Sequence, residues 1–368
     1  MARVVIAPDS FKGTIGAADA AKALAAGWHS VAPDDDLRLV PLADGGEGTI
    51  DAFELAVPGA RRMPVTVDGP DGRPVETAWL LLPPTGGQPA TGVVELASTS
   101  GITLLHPLLP YDAHTIGFGQ AIAAALSAGV DRLLLAIGGS SSTDGGAGAL
   151  TALGARLTDA DGRAVPPGNR GLAAVAGLDV SGLAALPPGG AVILSDVTNP
   201  LLGPLGAAAV FGRQKGAGAS DIAPLDAALA RWAGVVARGG STADPSTPGS
   251  GAAGGTGFGL LAWGARLVPG SDAVGAALGL PEALLGAALA ITGEGRFDDQ
   301  SLAGKVPGHV LAAAGAAVPV ALVAGAIDGD TTSFASAVSL TELAGGASAA
   351  RSDPARWLRE AGALLAAR

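Results

Sequence analysis

The sequence predicts an α/β protein of two domains, and three observations support this class. Short apolar runs recur along the chain and are bounded by turn residues, as is typical of fully buried parallel strands. Ala-rich stretches of helical length separate these runs, so strands and helices alternate. The chain has 368 residues, which is more than one hydrophobic core usually serves. A sheet covered by helices in each of two domains is therefore expected.

The predicted strands share a polar or glycine-rich segment directly after their carboxyl ends. They are expected at Arg3 to Ala7, Leu37 to Leu42, Leu133 to Ile137, Ala191 to Leu194 and Leu289 to Thr292. The segments that follow read, in the same order, Pro-Asp-Ser, Ala-Asp-Gly-Gly-Glu, a Gly/Ser run, Ser-Asp and Gly-Glu-Gly. Ligands of open α/β sheets bind beyond the carboxyl ends of the strands, so these segments predict a ligand site.

The intervals between the strands predict helices and one antiparallel ribbon. Helices are expected at Ala17 to Ala26, Gln120 to Ser127, Ala223 to Ala237 and Ala253 to Leu267. The stretch from Met63 to Leu96 alternates apolar and polar residues around two turns, which indicates an antiparallel ribbon at the start of the second domain. The Ser/Thr/Pro/Gly-rich loop Gly239 to Gly251 is either a mobile cover or a plain linker.

One uncharged stretch, Val306 to Ile327, is long enough to suggest a transmembrane helix. Pro307, Pro319 and several Gly interrupt it, so a short helix through Ala314 and a buried strand at Val318 to Val323 are expected instead. The N-terminus lacks the apolar region of a secretory signal. These observations predict a cytoplasmic protein that does not associate with membranes.

Composition excludes several classes of function. A formal net charge of −11 argues against nucleic-acid binding, which depends on many Lys and Arg residues that displace counterions. The absence of Cys excludes disulfide frameworks, thiolate catalysis and Cys-ligated zinc. The four His residues are scattered, and no helical zinc-binding pair is present.

The few lysines indicate binding of an anion. The chain has four Lys, and three of them adjoin a Gly, namely Lys12, Lys215 and Lys305. A compact ammonium beside flexible backbone amides suits a phosphate or carboxylate oxygen. Each of these residues alone would be interpreted as a surface lysine near a turn, but the three together favour a functional role.

The run Gly138 to Gly148 reads GGSSSTDGGAG and lies between a predicted strand and a predicted helix. Successive backbone amides and hydroxyl groups in such a segment can bind a phosphate. The alternative is a tight turn with an ordinary helix cap, and the excess of hydroxyl groups favours the ligand site.

Two further patterns bear on nucleotide binding. Gly249, Gly251 and Gly254 have the spacing of a dinucleotide fingerprint, but a polar loop precedes them where a strand is required. They are compatible with a phosphate-covering loop. Gly304-Lys305 lacks the earlier Gly of a Walker A motif, so any ATP site must be of another type.

Carboxylates are concentrated at the predicted strand ends. Each one alone is interpreted as a cap or turn residue, but together they match the needs of phosphoryl transfer, which are Mg²⁺ ligands and an acceptor for a hydroxyl proton. They are Asp9, Asp44, Glu47, Asp144, Asp196, Glu294, Asp298 and Asp299.

The ordered motifs of the chain resemble those of the bacterial glycerate kinase family. These are APDSFKGT (7–14), PLADGGEGT (41–49), the Gly/Ser run, SDVTNPLLG (195–203), FGRQKGA (211–217), GSGAAGG (249–255) and ITGEGRFDDQSLAGKVP (291–307). The run at 117–120 reads Gly-Phe-Gly-Gln where the family often has Gly-Thr-Gly-Glu.

The resemblance implies two α/β domains with the active site in the cleft between them. One is a discontinuous Rossmann-like domain with a parallel sheet built from both chain ends, expected at 1–62 and 281–368. The other is an inserted mixed α/β domain, expected at 63–280. The implied reaction is transfer of the γ-phosphoryl group of ATP to glycerate with Mg²⁺ as cofactor, and phosphorylation of the 2-hydroxyl is favoured over the 3-hydroxyl. A homodimer is left open.

Site roles are assigned as hypotheses, with Asp196 as catalytic base or Mg²⁺ ligand because it ends a buried strand beside Asn199. Lys12 and Asp44 are the other expected catalytic residues. The expected substrate-binding residues are Ser10, Lys12, Asp44, Glu47, Asn199 and Lys215, with Asp9 in support. The expected nucleotide- or phosphate-binding residues are Gly139, Ser140, Ser141, Asp144, Gly145, Gly254, Glu294 and Lys305. The expected metal ligands are Asp196 and Glu294.

Three other functions are alternatives to a glycerate kinase. A nicotinamide-dependent dehydrogenase would need a strand directly before its Gly fingerprint and an acidic residue about 20 positions later, and that arrangement is missing. A kinase of another small hydroxy acid remains an alternative. So does a non-catalytic sensor of small acids, which would need cations but no Mg²⁺ site.

Overall fold

The computed structural model describes residues 1–11, 13–84, 87, 89–299, 301–302 and 305–368. The strands are β1 (Arg3–Pro8), β2 (Asp36–Leu39), β3 (Arg61–Asp68), β4 (Pro74–Leu82), β5 (Thr91–Glu95), β6 (Arg132–Ala136), β7 (Arg156–Thr158), β8 (Gly177–Asp179), β9 (Ala191–Leu194), β10 (Arg266–Val268), β11 (Leu289–Phe297), β12 (Val320–Ile327) and β13 (Ser336–Ser339). The helices are α1 (Ala17–Val31), α2 (Thr49–Ala56), α3 (Ala97–Ser100), α4 (Ile116–Ser127), α5 (Ala147–Ala152), α6 (Gly168–Leu172), α7 (Ala207–Phe211), α8 (Ile222–Arg238), α9 (Ala252–Trp263), α10 (Gly270–Ala277), α11 (Leu280–Leu284), α12 (Val306–Ala314), α13 (Leu340–Leu343), α14 (Ala347–Ser352) and α15 (Pro354–Ala366).

The chain forms two compact units. The first contains 1–44, 51–58 and 269–368, and the second contains 45–50 and 59–268. The sequence placed the boundaries at 62/63 and 280/281 instead. The structure assigns α10 to the first unit, where Asp272 Oδ1 lies 2.6 Å from His309 Nδ1 of α12. Residues 45–50 go to the second unit, where the carbonyl of Gly45 accepts a hydrogen bond from the Gly138 amide.

The first unit contains a parallel sheet in the order β13-β12-β11-β1-β2. Its strands come from both ends of the chain, as predicted. Helices α1 and α15 pack so closely that a Cβ on Gly27 would meet the Arg359 carbonyl at 1.9 Å, and one on Gly362 would meet the Leu24 carbonyl at 2.2 Å. Glycine at both positions therefore sets the spacing of the two helices, which bury Leu24 and Leu358 against the sheet.

The second unit contains a mixed sheet in the order β10-β9-β6-β5-β4-β3. Strands β10, β9, β6 and β5 are parallel, and β5-β4-β3 form the predicted antiparallel ribbon. All residues of β5 and β9 are buried, and β9 (Ala191–Leu194) is apolar throughout, as expected of a strand covered on both faces. A separate two-stranded antiparallel sheet joins β7 and β8. The α/β class and the combination of a parallel and a mixed sheet are confirmed.

Several predicted boundaries were wrong; α1, for example, ends at Val31 instead of Ala26, and α4 begins at Ile116 instead of Gln120. Strand β2 ends at Leu39 instead of Leu42, although the amides of Val40 and Leu42 still donate to β1 carbonyls. Strand β11 continues to Phe297 because its partner β12 pairs with it over the whole length. Helix α9 ends at Trp263, where Gly264 has a left-handed φ of 102°, and the predicted end of this helix is strand β10.

The uncharged stretch 306–327 divides into α12 and β12, as predicted. Within the described ranges, no helix is both long and apolar enough to cross a membrane.

Candidate active site

In the second unit, three parallel strands bring their carboxyl ends to one edge of the sheet. Glu95 is paired in register with Ala136, and Ala136 is paired with Leu194. The segments that follow, including the Gly/Ser run and Asp196, therefore start side by side. The sequence predicted this convergence for the Gly/Ser run and Asp196, whereas it did not single out the buried Glu95.

Residues 45–50 lie against the same edge. The Gly138 amide donates to the Gly45 carbonyl at 3.0 Å, and a Cβ on Gly138 would lie 2.5 Å from Gly46 Cα. Glu95 Oε2 accepts a hydrogen bond from the Ile50 amide at 3.1 Å. The exposed Glu47 is thus held on a segment that is anchored at both ends to the carboxyl edge of the sheet.

The Gly/Ser run folds into a tight loop whose shape depends on glycine. Gly139, Gly145 and Gly146 have left-handed φ angles of 76°, 62° and 73°. A Cβ on Gly145 would lie 2.6 Å from Trp232 Cδ1, and the Trp232 indole donates to the Gly145 carbonyl at 3.0 Å. Trp232 is fully buried, so it packs in the core and also fixes this loop.

Lys215 lies behind this loop and is 2% exposed. Its Nζ donates to Ser140 Oγ at 2.7 Å and to the Ser142 carbonyl. A Cβ on Gly254 would lie 2.8 Å from this Nζ and 2.0 Å from the Ser142 carbonyl oxygen, so only glycine fits at 254. The structure therefore brings together Lys215, Ser140 and Gly254, three residues that the sequence had assigned to phosphate or substrate binding.

Burial lowers the pKa of Lys215 to about 7, because the desolvated ammonium loses its hydration, and the nearby charge of Asp144 opposes this effect. Lys215 is therefore only partly charged at neutral pH. The sequence predicted that Lys215 binds substrate and neutralises phosphate charge; the structure places its side chain in a buried position, bonded to Ser140 and Ser142.

Asp144 is fully buried and organises the loop. Its carboxylate accepts hydrogen bonds from the amide and hydroxyl of Thr115 at 2.9 and 2.8 Å, and from the amides of Gly146 and Gly148 at 3.1 and 3.2 Å. These four bonds occupy the carboxylate, which leaves it poorly placed to contact a ligand directly. Thr115 was missed because it lies 29 residues away, in a segment without a recognisable motif.

Part of the loop's hydrogen-bonding capacity is used within the protein. The Ser141 amide and hydroxyl both donate to the Ser100 carbonyl, and the Gly145 amide donates to the Gly254 carbonyl. The expected phosphate contacts from Ser141 and from the Gly145 amide are therefore replaced by internal bonds. In contrast, Ser100 Oγ, Ser142 Oγ and Thr143 Oγ1 are buried and have no hydrogen-bond partner among the described residues.

The Gly-rich segment at 249–255 packs on this loop instead of following a strand. Ala253, Gly254 and Gly255 all have left-handed backbone conformations, with φ of 54°, 68° and 87°. The Asn199 carbonyl accepts bonds from the Gly249 and Gly251 amides, and the Asn199 side chain donates to the Leu205 carbonyl. Asn199 thus supports the turn that carries the segment, and its side-chain amide nitrogen gives one of its two N–H groups to this turn.

The first unit carries a separate group of predicted site residues. Pro8 is paired in register with Gly293, so the buried Asp9 and Glu294 follow at neighbouring positions of β1 and β11. The Asp9 amide donates to the Gly293 carbonyl, and the Ser10 amide donates to Asp9 Oδ1 at 2.6 Å. Glu294 lies inside β11 and not after its end, which corrects the predicted position.

Lys305 is the N-terminal cap residue of α12, and its Nζ lies 3.8 Å from Asp298 Oδ1. Both side chains are about 40% exposed, so this ion pair is weak and leaves the ammonium accessible. Asp44 is half-buried at the boundary of the unit. Lys12, which the sequence assigned to catalysis, lies outside the described residues.

The predicted metal ligands lie in different units, Asp196 in the second and Glu294 in the first. Across the part of the chain that the structure describes, no group of three or more His, Cys, Asp or Glu residues could hold a metal ion. Mg²⁺ in kinases needs only one or two carboxylates together with substrate phosphates. The half-exposed Asp196 at a strand end has the oxygen chemistry for such a role.

Known proteins share much of the sequence and the fold of this chain. The model of the glycerate kinase family matches residues 4–368. A glycerate kinase of Bacillus subtilis is 42% identical over 89% of this chain and 86% of its own length. A glycerate 2-kinase of Escherichia coli is 40% identical over 83% of this chain and 80% of its own length. A crystal structure assigned to glycerate kinase 2 of Salmonella typhimurium LT2 is 38% identical, with a TM-score of 0.84 over 100% of this chain and 98% of that one.

Proposed function

The chain belongs to the glycerate kinase family, and we propose that it transfers the γ-phosphoryl group of ATP to D-glycerate. The products are ADP and phosphoglycerate. Phosphorylation of the 2-hydroxyl is favoured because a relative that is 40% identical is named as a glycerate 2-kinase. In this reaction a bond forms between a glycerate oxygen and the γ-phosphorus, and the bond from that phosphorus to the β-phosphate oxygen breaks.

The observation that carries the proposal is the buried Lys215, which donates hydrogen bonds to Ser140 and Ser142 of the hydroxyl-rich loop at 138–148. Burying an ammonium group is costly unless its charge is used, and catalytic sites that stabilise transferred phosphoryl groups need such a charge. The loop lies at the carboxyl edge of a parallel sheet segment, where α/β proteins bind ligands. Gly139 and Ser140 supply an amide and a hydroxyl on this loop for phosphate oxygens.

The remaining steps are assigned to carboxylates. Asp196 accepts the proton that leaves the glycerate hydroxyl, or it ligates Mg²⁺, and Ser10, Asp44 and Glu47 bind glycerate. We propose that Asp196, when it acts as a metal ligand, would hold Mg²⁺ through its carboxylate oxygens. When bound, Mg²⁺ supplies charge neutralisation on the phosphates of ATP. Lys12 and Lys305 provide further positive charge for the carboxylate and phosphate groups of the ligands.

The assay that tests the proposal couples ADP release to a spectrophotometric signal. Purified protein is given ATP and Mg²⁺ with D-glycerate, L-glycerate, glycolate or lactate in parallel. We expect ADP release that depends on D-glycerate and on Mg²⁺. Turnover with another acid but not with glycerate would indicate a kinase of that acid. Binding of glycerate without turnover of ATP would indicate the sensor.

A cytoplasmic location is a further part of the proposal, while assembly as a homodimer stays an open alternative. ATP and phosphoglycerate are intracellular metabolites, which agrees with a cytoplasmic enzyme. Cell fractionation tests the location, and light scattering of the purified protein at several concentrations tests the assembly.

A further inference from the structure

The ammonium of Lys215 is buried next to the loop at 138–148 and is separated from a ligand on that loop by the Ser140 side chain. It is 2% exposed, and two of its three N–H groups bond to Ser140 Oγ and to the Ser142 carbonyl. An anion that binds to the loop would therefore meet Ser140 before it could meet Lys215. Lys215 would therefore act on such an anion through Ser140 and not by direct contact.

This arrangement prepares the Ser140 hydroxyl to donate a hydrogen bond. Because Ser140 Oγ accepts from Lys215, its own hydrogen must be directed elsewhere. The acceptor within reach is the Ser142 carbonyl at 3.5 Å, which is the limit of a hydrogen bond and already accepts from Lys215. The Ser140 hydroxyl is thus a polarised donor without a good acceptor.

Two further hydroxyl groups of the loop lack acceptors. Ser142 Oγ and Thr143 Oγ1 belong to residues that are 0% and 1% exposed, and neither has a hydrogen-bond partner in the described structure. Burying a polar group without a partner is unfavourable, so such groups are rarely retained without use. A tetrahedral oxyanion offers acceptors of the kind that these donors lack.

The charge of Lys215 is similarly uncompensated. Asp144 is the titratable group that acts on it within the described residues, but the Asp144 carboxylate is occupied by Thr115, Gly146 and Gly148. Desolvation therefore dominates and brings the pKa of Lys215 to about 7. A negative ligand on the other side of Ser140 would favour the ammonium form.

We propose that the Ser140–Thr143 loop binds a tetrahedral oxyanion of the phosphate class, and that binding of this anion places a proton on Lys215. The inference rests on the proposed function for the identity of the anion, which is a phosphate group of the nucleotide or of the phosphorylated product. Linkage is reciprocal, so the anion binds more tightly when Lys215 is protonated. Lys215 is thereby a positioning residue that becomes protonated, and so positively charged, when the anion is bound.

The sign of the pH dependence follows. Affinity for the anion is constant below the pKa of Lys215 in the unliganded protein. It falls as the pH rises from there to the higher pKa of the complex, by up to about tenfold per pH unit. Above the pKa of the complex, affinity is constant again and low.

The small number of lysines allows a direct test. The chain has four Lys, so protein labelled with ¹³C at the lysine ε-carbon gives one resonance each for Lys12, Lys22, Lys215 and Lys305. Lys22→Arg, Lys12→Arg and Lys305→Arg each remove one resonance and identify Lys215 by elimination, even if Lys215→Arg does not fold. The resonances are followed from pH 5.5 to pH 11 without ligand and with saturating sulfate, ADP or 2-phosphoglycerate.

We expect the Lys215 resonance to titrate near neutral pH without ligand and about one pH unit or more higher with an anion. The response to ADP or to 2-phosphoglycerate identifies the source of the phosphate group. The exposed Lys22, paired with Asp19 on α1, should titrate at the same pH in all samples. A Lys215 midpoint that none of the three anions moves, or one near pH 10 without ligand, would overturn the proposal. A shift with sulfate in a protein without kinase activity would support this inference while the proposed function failed.

Discussion

Gln120 and Asp68 exchange two hydrogen bonds across the second unit. The Asp68 amide donates to Gln120 Oε1 at 2.7 Å, and Gln120 Nε2 donates to Asp68 Oδ2 at 2.8 Å. The pair joins α4 to the end of β3. A glutamate at position 120 could not donate to Asp68 unless it carried a proton. Glutamine at 120 therefore suits a partner that is itself a carboxylate.

Gln120→Glu should destabilise the protein at neutral pH by about 1–3 kcal/mol, because two carboxylates would then face each other. The loss should shrink at pH 5, where the pair can share one proton. Urea unfolding at pH 7.5 and pH 5 measures both effects. The exposed Gln214→Glu is the matched control and should change the free energy of unfolding little at either pH. Equal effects of the two substitutions would contradict this account of the pair.

Gly145→Ala should disrupt the loop at 138–148. A Cβ at 145 would lie 2.6 Å from Trp232 Cδ1, and the residue has a φ of 62°. Gly129→Ala is the control because its φ is 77° and its Cβ would meet nothing within 4 Å, so it suffers backbone strain alone, of about 1–2 kcal/mol. The midpoint temperature of thermal unfolding and the rate of ATP turnover should both fall further in Gly145→Ala than in Gly129→Ala. If the two variants behaved alike, steric contact with Trp232 would not be what requires glycine.

Stability should increase with pH because of Lys215. Its pKa is lowered to about 7 in the folded protein, while that of an unfolded lysine stays near 10.5. Between these values the unfolded chain binds more protons, so the free energy of unfolding rises with pH, by at most about 1.4 kcal/mol per pH unit. Denaturant unfolding from pH 7 to pH 9.5 checks the slope.

Lys215→Met should remove this slope, whereas Lys22→Arg should keep it. The background is limited to the α-amino group, the single Tyr and the other three Lys, because the chain has no Cys. The same slope in the Lys215→Met protein would show that Lys215 is not the buried group responsible.

Asp196→Asn should lower kcat by about 100-fold or more, because the amide cannot accept a proton from glycerate and binds Mg²⁺ poorly. Asp179→Asn, on β8, is the control for loss of one carboxylate and should leave kcat unchanged. The Mg²⁺ concentration at half-maximal rate separates the two roles, since a lost metal ligand raises it and a lost base does not. Normal turnover and normal Mg²⁺ dependence would show that Asp196 has neither role.

The fold class was predictable because buried parallel strands have continuous apolar sequences and end in turn residues. The end of β11 was not, since its extension through Gly293 and Glu294 depends on pairing with β12, which is distant in the sequence. Local patterns describe a residue's own segment and carry little information about such partners.

The same limit applies to the site. The glycines and hydroxyls at 138–148 predict a ligand loop, but no pattern in the sequence indicates which distant residues pack against it. Lys215 and Trp232 reach this loop from segments more than 70 residues away. Whether Lys215 is buried, and whether Asp144 faces a ligand or the backbone of its own loop, depends on tertiary packing. The sequence predicted that Lys215 and Asp144 belong to one site, but it did not predict that both are buried.

The most direct test of the central claim is phosphorus NMR of the reaction of the purified protein with ATP, Mg²⁺ and D-glycerate. The account predicts that the ATP signals decay while those of ADP and 2-phosphoglycerate grow in equal amounts. The signal of 3-phosphoglycerate instead would correct the position of transfer. Persistence of ATP in the presence of glycerate, with folded protein and Mg²⁺ in excess, would contradict the assignment as a glycerate kinase.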